Sequence, residues 1–104
     1  MDIFLKSVGA LKDETRVKIL SFIYKNGSMC VCDLENSFEM IQSRLSRHLK
    51  ILKDAGFLQV KRDGRWAYYE IRSPLDRFRM EAIKEINTLD IPLPPLKQNC
   101  KKAK

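Results

Sequence analysis

The stretch Ile41-Gln42-Ser43-Arg44-Leu45-Ser46-Arg47-His48-Leu49-Lys50-Ile51-Leu52-Lys53-Asp54-Ala55-Gly56 decides how the chain is read. Ile41, Leu45, Leu49 and Leu52 recur at helical spacing, while Gln42, Ser43, Ser46, Arg47, Lys50 and Lys53 fall on the other faces. One side packs; the other is cationic and rich in hydrogen-bonding groups. Gly56 follows the last periodic residue, where a left-handed glycine cap ends such a helix. By itself this is an amphipathic helix with a solvated basic face, and its neighbours in the chain give it a second meaning.

Upstream, Val31, Leu34 and Phe38 are spaced three and four apart within Ser28 to Met40, which predicts a helix of about two turns. Asp33 near its start complements the helix dipole. A tight connection then leads into the Ile41 helix. Two short helices so joined, the second with a polar and cationic face, form a helix-turn-helix, whose second helix enters the DNA major groove. Downstream, Phe57 to Arg62 and Arg65 to Ile71 are rich in β-branched and aromatic residues and flank Asp63-Gly64. Asp-Gly between such runs predicts a hairpin closed by a type I′ turn, with positive φ at both central residues. Lys61, Arg62 and Arg65 give the hairpin a cationic tip, that of a wing lying against DNA.

The remaining elements are helical. Ile3, Phe4, Leu5 and Val8 mark a short amphipathic helix, and Asp13 caps a second one from Glu14 to Asn26, stopped by Gly27. After Pro74, the residues Leu75, Phe78, Ala82, Ile83, Ile86 and Leu89 mark a last helix. The fold class is thus mainly α with a β-hairpin, a winged helix-turn-helix with about five helices. The apolar stripes of the two terminal helices exceed what one small core covers, so a homodimer through them is expected, matching a palindromic operator. Residues 1–90 form this DNA-binding and dimerisation domain. Residues 91–104, with three prolines and a basic end, form an extended tail carrying Cys100, mobile unless Cys100 or Leu96 anchors it.

The totals narrow the function. A chain of 104 residues suits one compact domain, and 20 Lys and Arg against 13 Asp and Glu give +7, which calls for an anionic partner, nucleic acid before a membrane surface. No apolar run approaches the roughly 20 residues that span a bilayer, and the N-terminus lacks the layout of a signal peptide, so a cytoplasmic protein with no membrane partner is expected. Cys30, Cys32 and Cys100 are an odd number with two of them one residue apart, which argues for reduced thiols rather than a disulfide framework. One histidine, no nucleophile elbow and no glycine-rich phosphate loop leave no basis for an enzyme or an organic cofactor.

From Leu5 to Leu89 the chain resembles the ArsR/SmtB family of winged-helix metalloregulators. Ala10 to Leu20 resembles the family's N-terminal signature, Cys30-Val31-Cys32-Asp33-Leu34 its arsenic-sensing box, Gln42 to Leu49 its recognition helix and Arg62-Asp63-Gly64-Arg65 its wing. The resemblance implies a dimeric repressor that leaves its operator when an inducer binds. The family's box often has a third cysteine three residues after the second; here that position is Glu35, so Cys100 becomes the candidate third ligand. The family's His and carboxylate set on the last helix is missing, since Asp76 to Leu89 holds no histidine.

With that box in view, the metal-site candidates are Cys30, Cys32 and Cys100, and the inducer is As(III), with Sb(III) beside it. Both are soft ions that take three sulfurs in a pyramid, whereas zinc or cadmium would need a fourth donor. On a regular helix Cys30 and Cys32 would point about 200 degrees apart, at roughly 100 degrees per residue. Binding therefore requires either that they precede the helix or that its first turn unwinds, and unwinding would disturb the recognition helix. A helix N-terminus and nearby lysines would favour the thiolates. For DNA, Gln42, Ser43, Ser46 and Arg47 are candidates for base edges and the groove, and Arg44, Lys50, Arg62 and Arg65 for phosphates of a double-stranded operator. His48 reads as a packing or hydrogen-bonding residue. The alternative is a thiol redox or persulfide sensor of the same fold, in which Cys100 and one of the close pair form a reversible disulfide.

Overall fold

The computed structural model describes residues 1–98, and Cys100 lies outside them. In order, the elements are α1 (Asp2–Ala10), α2 (Glu14–Asn26), β1 (Met29–Cys30), α3 (Val31–Phe38), α4 (Gln42–Asp54), β2 (Leu58–Asp63), β3 (Trp66–Ile71) and α5 (Arg77–Thr88). This is a winged helix-turn-helix, as the periodicities predict. At its centre Ile19 to Ile23 of α2 are all buried, so the middle of that helix is enclosed on every side. Asp13 caps it by accepting the Arg16 N–H at 3.2 Å, and Gly27, at φ 87°, ends it.

The helix-turn-helix pair packs on α2. Phe38 of α3 meets Phe22 edge-on, with centroids 5.0 Å apart. Leu45, Leu49 and Leu52 of α4 are fully buried, each contributing about 1.5–3 kcal/mol of apolar burial. Ile41 lies just outside this seam as the exposed N-cap of α4. The turn between the helices passes through Glu39 at φ 53°, where a glycine would sit more easily. At the other end of α4 the Gly56 N–H bonds the Lys53 carbonyl and the Phe57 N–H the Leu52 carbonyl, each at 3.0 Å, with Gly56 at φ 87°. That pair of bonds is a Schellman cap.

Two features differ from the expectation. Met29 and Cys30, for which the sequence predicts no strand, form a short third strand, pairing with Tyr69 and Tyr68 so that the sheet order is β1-β3-β2. Two residues are too few to show a strand's alternation, and the pairing that makes them one comes from nearly forty positions away. The hairpin turn also differs. Asp63 pairs with Trp66, which leaves Gly64 and Arg65 as the central residues. Only Gly64 has positive φ, at 65°, the pattern of a type II′ turn rather than type I′.

At the far end, Arg79 of α5 ties three helices together. Its Nε donates to the Ala55 carbonyl at 2.8 Å, Nη2 to Ser7 Oγ at 2.6 Å and Nη1 to Asp76 Oδ1 at 3.0 Å, and the guanidinium lies over the Phe57 ring. Ile3, Phe4, Leu5 and Val8 of α1 and Phe78 and Met80 of α5 remain exposed, with Phe4 and Phe78 rings 5.2 Å apart. The chain after α5 is extended but held. Ile91 and Leu93 pack against the core, the Lys97 N–H donates to Ser37 Oγ at 2.9 Å, and Lys97 pairs with Glu39 at 3.0 Å. Leu96 is exposed, so these contacts, and not Leu96, hold the segment that the sequence predicts to be mobile without such an anchor.

A Cβ on Gly56 would stand 2.7 Å from Arg79 Nε, whereas one on Gly64 would meet nothing within 4 Å. Gly56→Ala is therefore expected to cost about 2 kcal/mol or more in urea denaturation, from the left-handed backbone plus displacement of the guanidinium, and Gly64→Ala about 1 kcal/mol. Equal losses at the two glycines would remove Arg79 from the account.

Candidate metal centre and nucleic-acid interface

Cys30 ends β1 and is also the N-cap of α3, with extended backbone at φ −79° and ψ 162°, while Cys32 lies in the first turn. Because Cys30 is off the helical path, its side chain escapes the 200-degree divergence of a regular helix. The two Sγ atoms are 3.0 Å apart. The helix therefore needs no unwinding to bring them together: a single residue of extended backbone before it is sufficient. Cys30 is buried; Cys32 is half-buried and disulfide-bonded, so the reduced pair expected from the cysteine count does not hold at Cys32.

Beside them is a residue singled out from sequence only for its effect on the dipole. Asp33 is buried, at 7% exposure, and its carboxylate and the two sulfurs all lie within 4.8 Å of one another. Burial pushes the Cys30 thiol pKa up, and the Asp33 carboxylate pushes it further through a hydrogen bond and its charge. The backbone N–H groups of Asp33 and Cys32 oppose this without cancelling it. The expected thiolate-favouring surroundings thus do not hold at Cys30. Metal or metalloid ligation there must displace a proton.

On α4, Gln42, Ser43, Arg44, Ser46, Arg47 and Lys50 are all exposed on the side away from Leu45, Leu49 and Leu52. Arg62 and Arg65 are exposed at the hairpin end. Lys50 pairs with Asp54 at 3.0 Å and Lys61 with Glu70 at 3.3 Å, whereas Arg44, Arg47, Arg62 and Arg65 form no ion pair among the described residues. The first turn of α4 contains no acidic residue and no side chain caps it, so its positive dipole end is uncompensated.

The orientation of α4 is held by residues distant in sequence. Arg16, mostly buried, donates from Nε to the Ala10 carbonyl at 2.9 Å, and its Nη1 lies 3.3 Å from His48 Nδ1. Burial lowers the His48 pKa, with Arg16, Arg44 and Arg47 adding to the shift and Asp13 opposing it. A neutral imidazole is the form that accepts from the guanidinium. Neither Arg16 nor Arg79 stood out in sequence, because the partners of each are set by tertiary packing.

The description "Bacterial regulatory protein, arsR family" matches residues 13–60. An uncharacterised HTH-type transcriptional regulator of Methanocaldococcus jannaschii is 40% identical over 80 residues, which are 77% of this chain and 86% of that protein. The chain belongs to the ArsR family. This is a family of transcriptional regulators rather than an enzyme class. Within it, the arsenical resistance operon repressor of Bacillus subtilis is 45% identical over 62 residues, covering 60% of this chain and 59% of that protein. The ArsR-family chain thus aligns with about three-fifths of that repressor. A homodimeric winged helix-turn-helix DNA-binding domain from Mycobacterium bovis shares the fold, with a TM-score of 0.71 at 22% identity over 84% of this chain and 77% of that one. No helix among the described residues is long and apolar enough to cross a membrane.

Proposed function

We propose that this ArsR-family chain is a cytoplasmic, homodimeric repressor that binds double-stranded operator DNA and leaves it when As(III), or Sb(III), is held by Cys30, Cys32 and Cys100. The observation that carries the reading is the 3.0 Å approach of Cys30 and Cys32 at the start of the helix that packs against α4. Two sulfurs at that separation supply two corners of the pyramid that trivalent arsenic prefers. The arsenical resistance repressor of Bacillus subtilis, at 45% identity, supports the inducer class. Cys100 fits as the third corner from the same subunit. Lys97 is fixed on Ser37, and three further residues reach roughly 10–11 Å, more than the roughly 7.5 Å of helix rise from Ser37 back to Cys32.

Exposed Gln42, Ser43, Ser46 and Arg47 face the groove in this reading, and Arg44, Lys50, Arg62 and Arg65 take phosphates, Lys50 exchanging its Asp54 partner for one. The apolar face formed by α1 and α5 around Phe4 and Phe78 is the dimer interface. Release follows if the inducer binds the DNA-free arrangement more tightly, because a ligand shifts an equilibrium only by its differential affinity. Ligation joins the end of β1 to the first turn of α3, and through α3 it biases α4.

The test is fluorescence anisotropy of the reduced protein on a labelled duplex from its own upstream region, titrated with arsenite. Wild type is expected to be released and Cys100→Ser to stay bound at the same arsenite concentration. Release of both removes Cys100 from the site. Arsenite without effect, together with release by peroxide that dithiothreitol reverses, replaces the inducer reading with the redox one. On the same duplex, Arg47→Ala should relax sequence preference by about 1–3 kcal/mol, and Arg62→Ala should weaken every duplex and lower the salt slope by about one. Identical, sequence-independent losses would overturn that division. Phe4→Glu is expected to give a monomer in sedimentation velocity, and an undisturbed dimer would place the interface elsewhere.

A further inference from the structure

By its spacing Ile41 belongs to the apolar stripe that continues through Leu45, Leu49 and Leu52, yet the core covers those three and leaves Ile41 70% exposed. Its backbone, at φ −66° and ψ 150°, is extended where the stripe residues are helical, so the side chain leaves the buried face. Nor does the residue serve the helix. Isoleucine is among the poorest N-caps, because it offers no oxygen to the free N–H groups of the first turn, and no side chain caps α4. Met40, one residue earlier, occupies the position from which an apolar side chain staples a helix start, and it is Met40 that packs against the core. Within the helix-turn-helix, Ile41 is the one large apolar side chain that is exposed.

A residue that breaks a local rule without helping the fold points to a partner. The neighbours of Ile41 say which one. Gln42, Ser43, Ser46 and Arg47, exposed on the same helix, are the residues assigned above to the groove, and a recognition helix reads base edges with its N-terminal residues. In the major groove the one apolar group on a base edge is the C5 methyl of thymine. We propose that Ile41 is a specificity-determining residue whose side chain packs against a thymine methyl, so that the operator carries a thymine beside the base pair that Gln42 contacts. The contact presupposes that α4 is the operator-binding helix proposed above, and it depends on neither the inducer nor the cysteines. The two residues divide the recognition by chemistry. A glutamine amide matches the N6 and N7 of adenine, whereas isoleucine has no polar side-chain atom and reads only the methyl. Cytosine presents an N4 amino group and no methyl, so at that position it leaves Ile41 without its contact and covers an amino group that has no acceptor.

The experiment replaces the thymines of the labelled upstream duplex, one symmetric pair at a time, by deoxyuridine, which lacks only the C5 methyl, and reads anisotropy of the reduced full chain at constant salt. At one pair the wild type is expected to weaken about fourfold per half-site, the effect of uncovering a single methyl-sized group. Ile41→Ala should bind the parent duplex more weakly and show no further loss with deoxyuridine at that pair. Wild type that binds the parent duplex but is indifferent to every deoxyuridine overturns the Ile41 contact alone, and so does Ile41→Ala with the wild-type sensitivity. Failure of the wild type to bind the parent duplex overturns the operator reading and the contact with it. Ile41→Ser separates recognition from folding. Serine is a good N-cap, so the melting temperature should rise by about 4 °C or more while the deoxyuridine sensitivity disappears. A fall in melting temperature would make Ile41 a structural residue and reject the proposal.

Discussion

Leu45, Leu49 and Leu52 have essentially no exposed surface, and that seam fixes the rotation of α4 about its own axis. Turning the helix by one residue, roughly 100 degrees, would bury a charged or polar side chain in place of a leucine, at a cost of several kcal/mol. The outward direction of Gln42, Ser43, Ser46 and Arg47 is therefore a consequence of packing and not of any property of those residues themselves. α2 provides the other half of the seam, and four of its five consecutive buried residues, Ile19, Leu20, Phe22 and Ile23, are apolar. The His48 to Arg16 contact and the Schellman cap at Gly56 then fix the tilt and the end of a helix whose face is already chosen.

The second constraint acts on the backbone of one residue. Cys30 is the last residue of a strand and the N-cap of the helix that follows, and its extended conformation brings its sulfur beside that of Cys32. A residue inside the helix could not do this, because the helical period separates neighbours two apart. The strand pairing with Tyr68 and Tyr69 holds that conformation, so the hairpin braces the thiol pair.

Much of this was legible in the chain. The Glu14–Asn26 helix was read to the residue from its stripe, its Asp13 cap and the glycine after it, and the Ile41 helix nearly so. Long periodic segments with local caps carry their own boundaries. What escaped depends on register or distance. The Met29–Cys30 strand is too short to show a period, and the type of the Asp63 turn follows from which residues pair, a matter Gly64 alone does not decide. At the site, Cys30 and Cys32 were identifiable by type and spacing, but the burial of Asp33 and the raised Cys30 pKa come from the surrounding fold. Arg16 and Arg79 are invisible to periodicity for the same reason.

The grip of Arg79 and Ser7 on the Ala55 carbonyl makes the C-terminal end of α4 a pivot. The helix has 13 residues, a lever of roughly 20 Å at about 1.5 Å per residue. A tilt of about 5 degrees at that pivot moves the far end by about 1.7 Å, more than the margin between a hydrogen bond of about 2.9 Å and none at about 3.6 Å. The anchor and the exposed apolar face belong to the same two helices, so how firmly α1 and α5 are seated sets the precision with which the other end of the lever can aim.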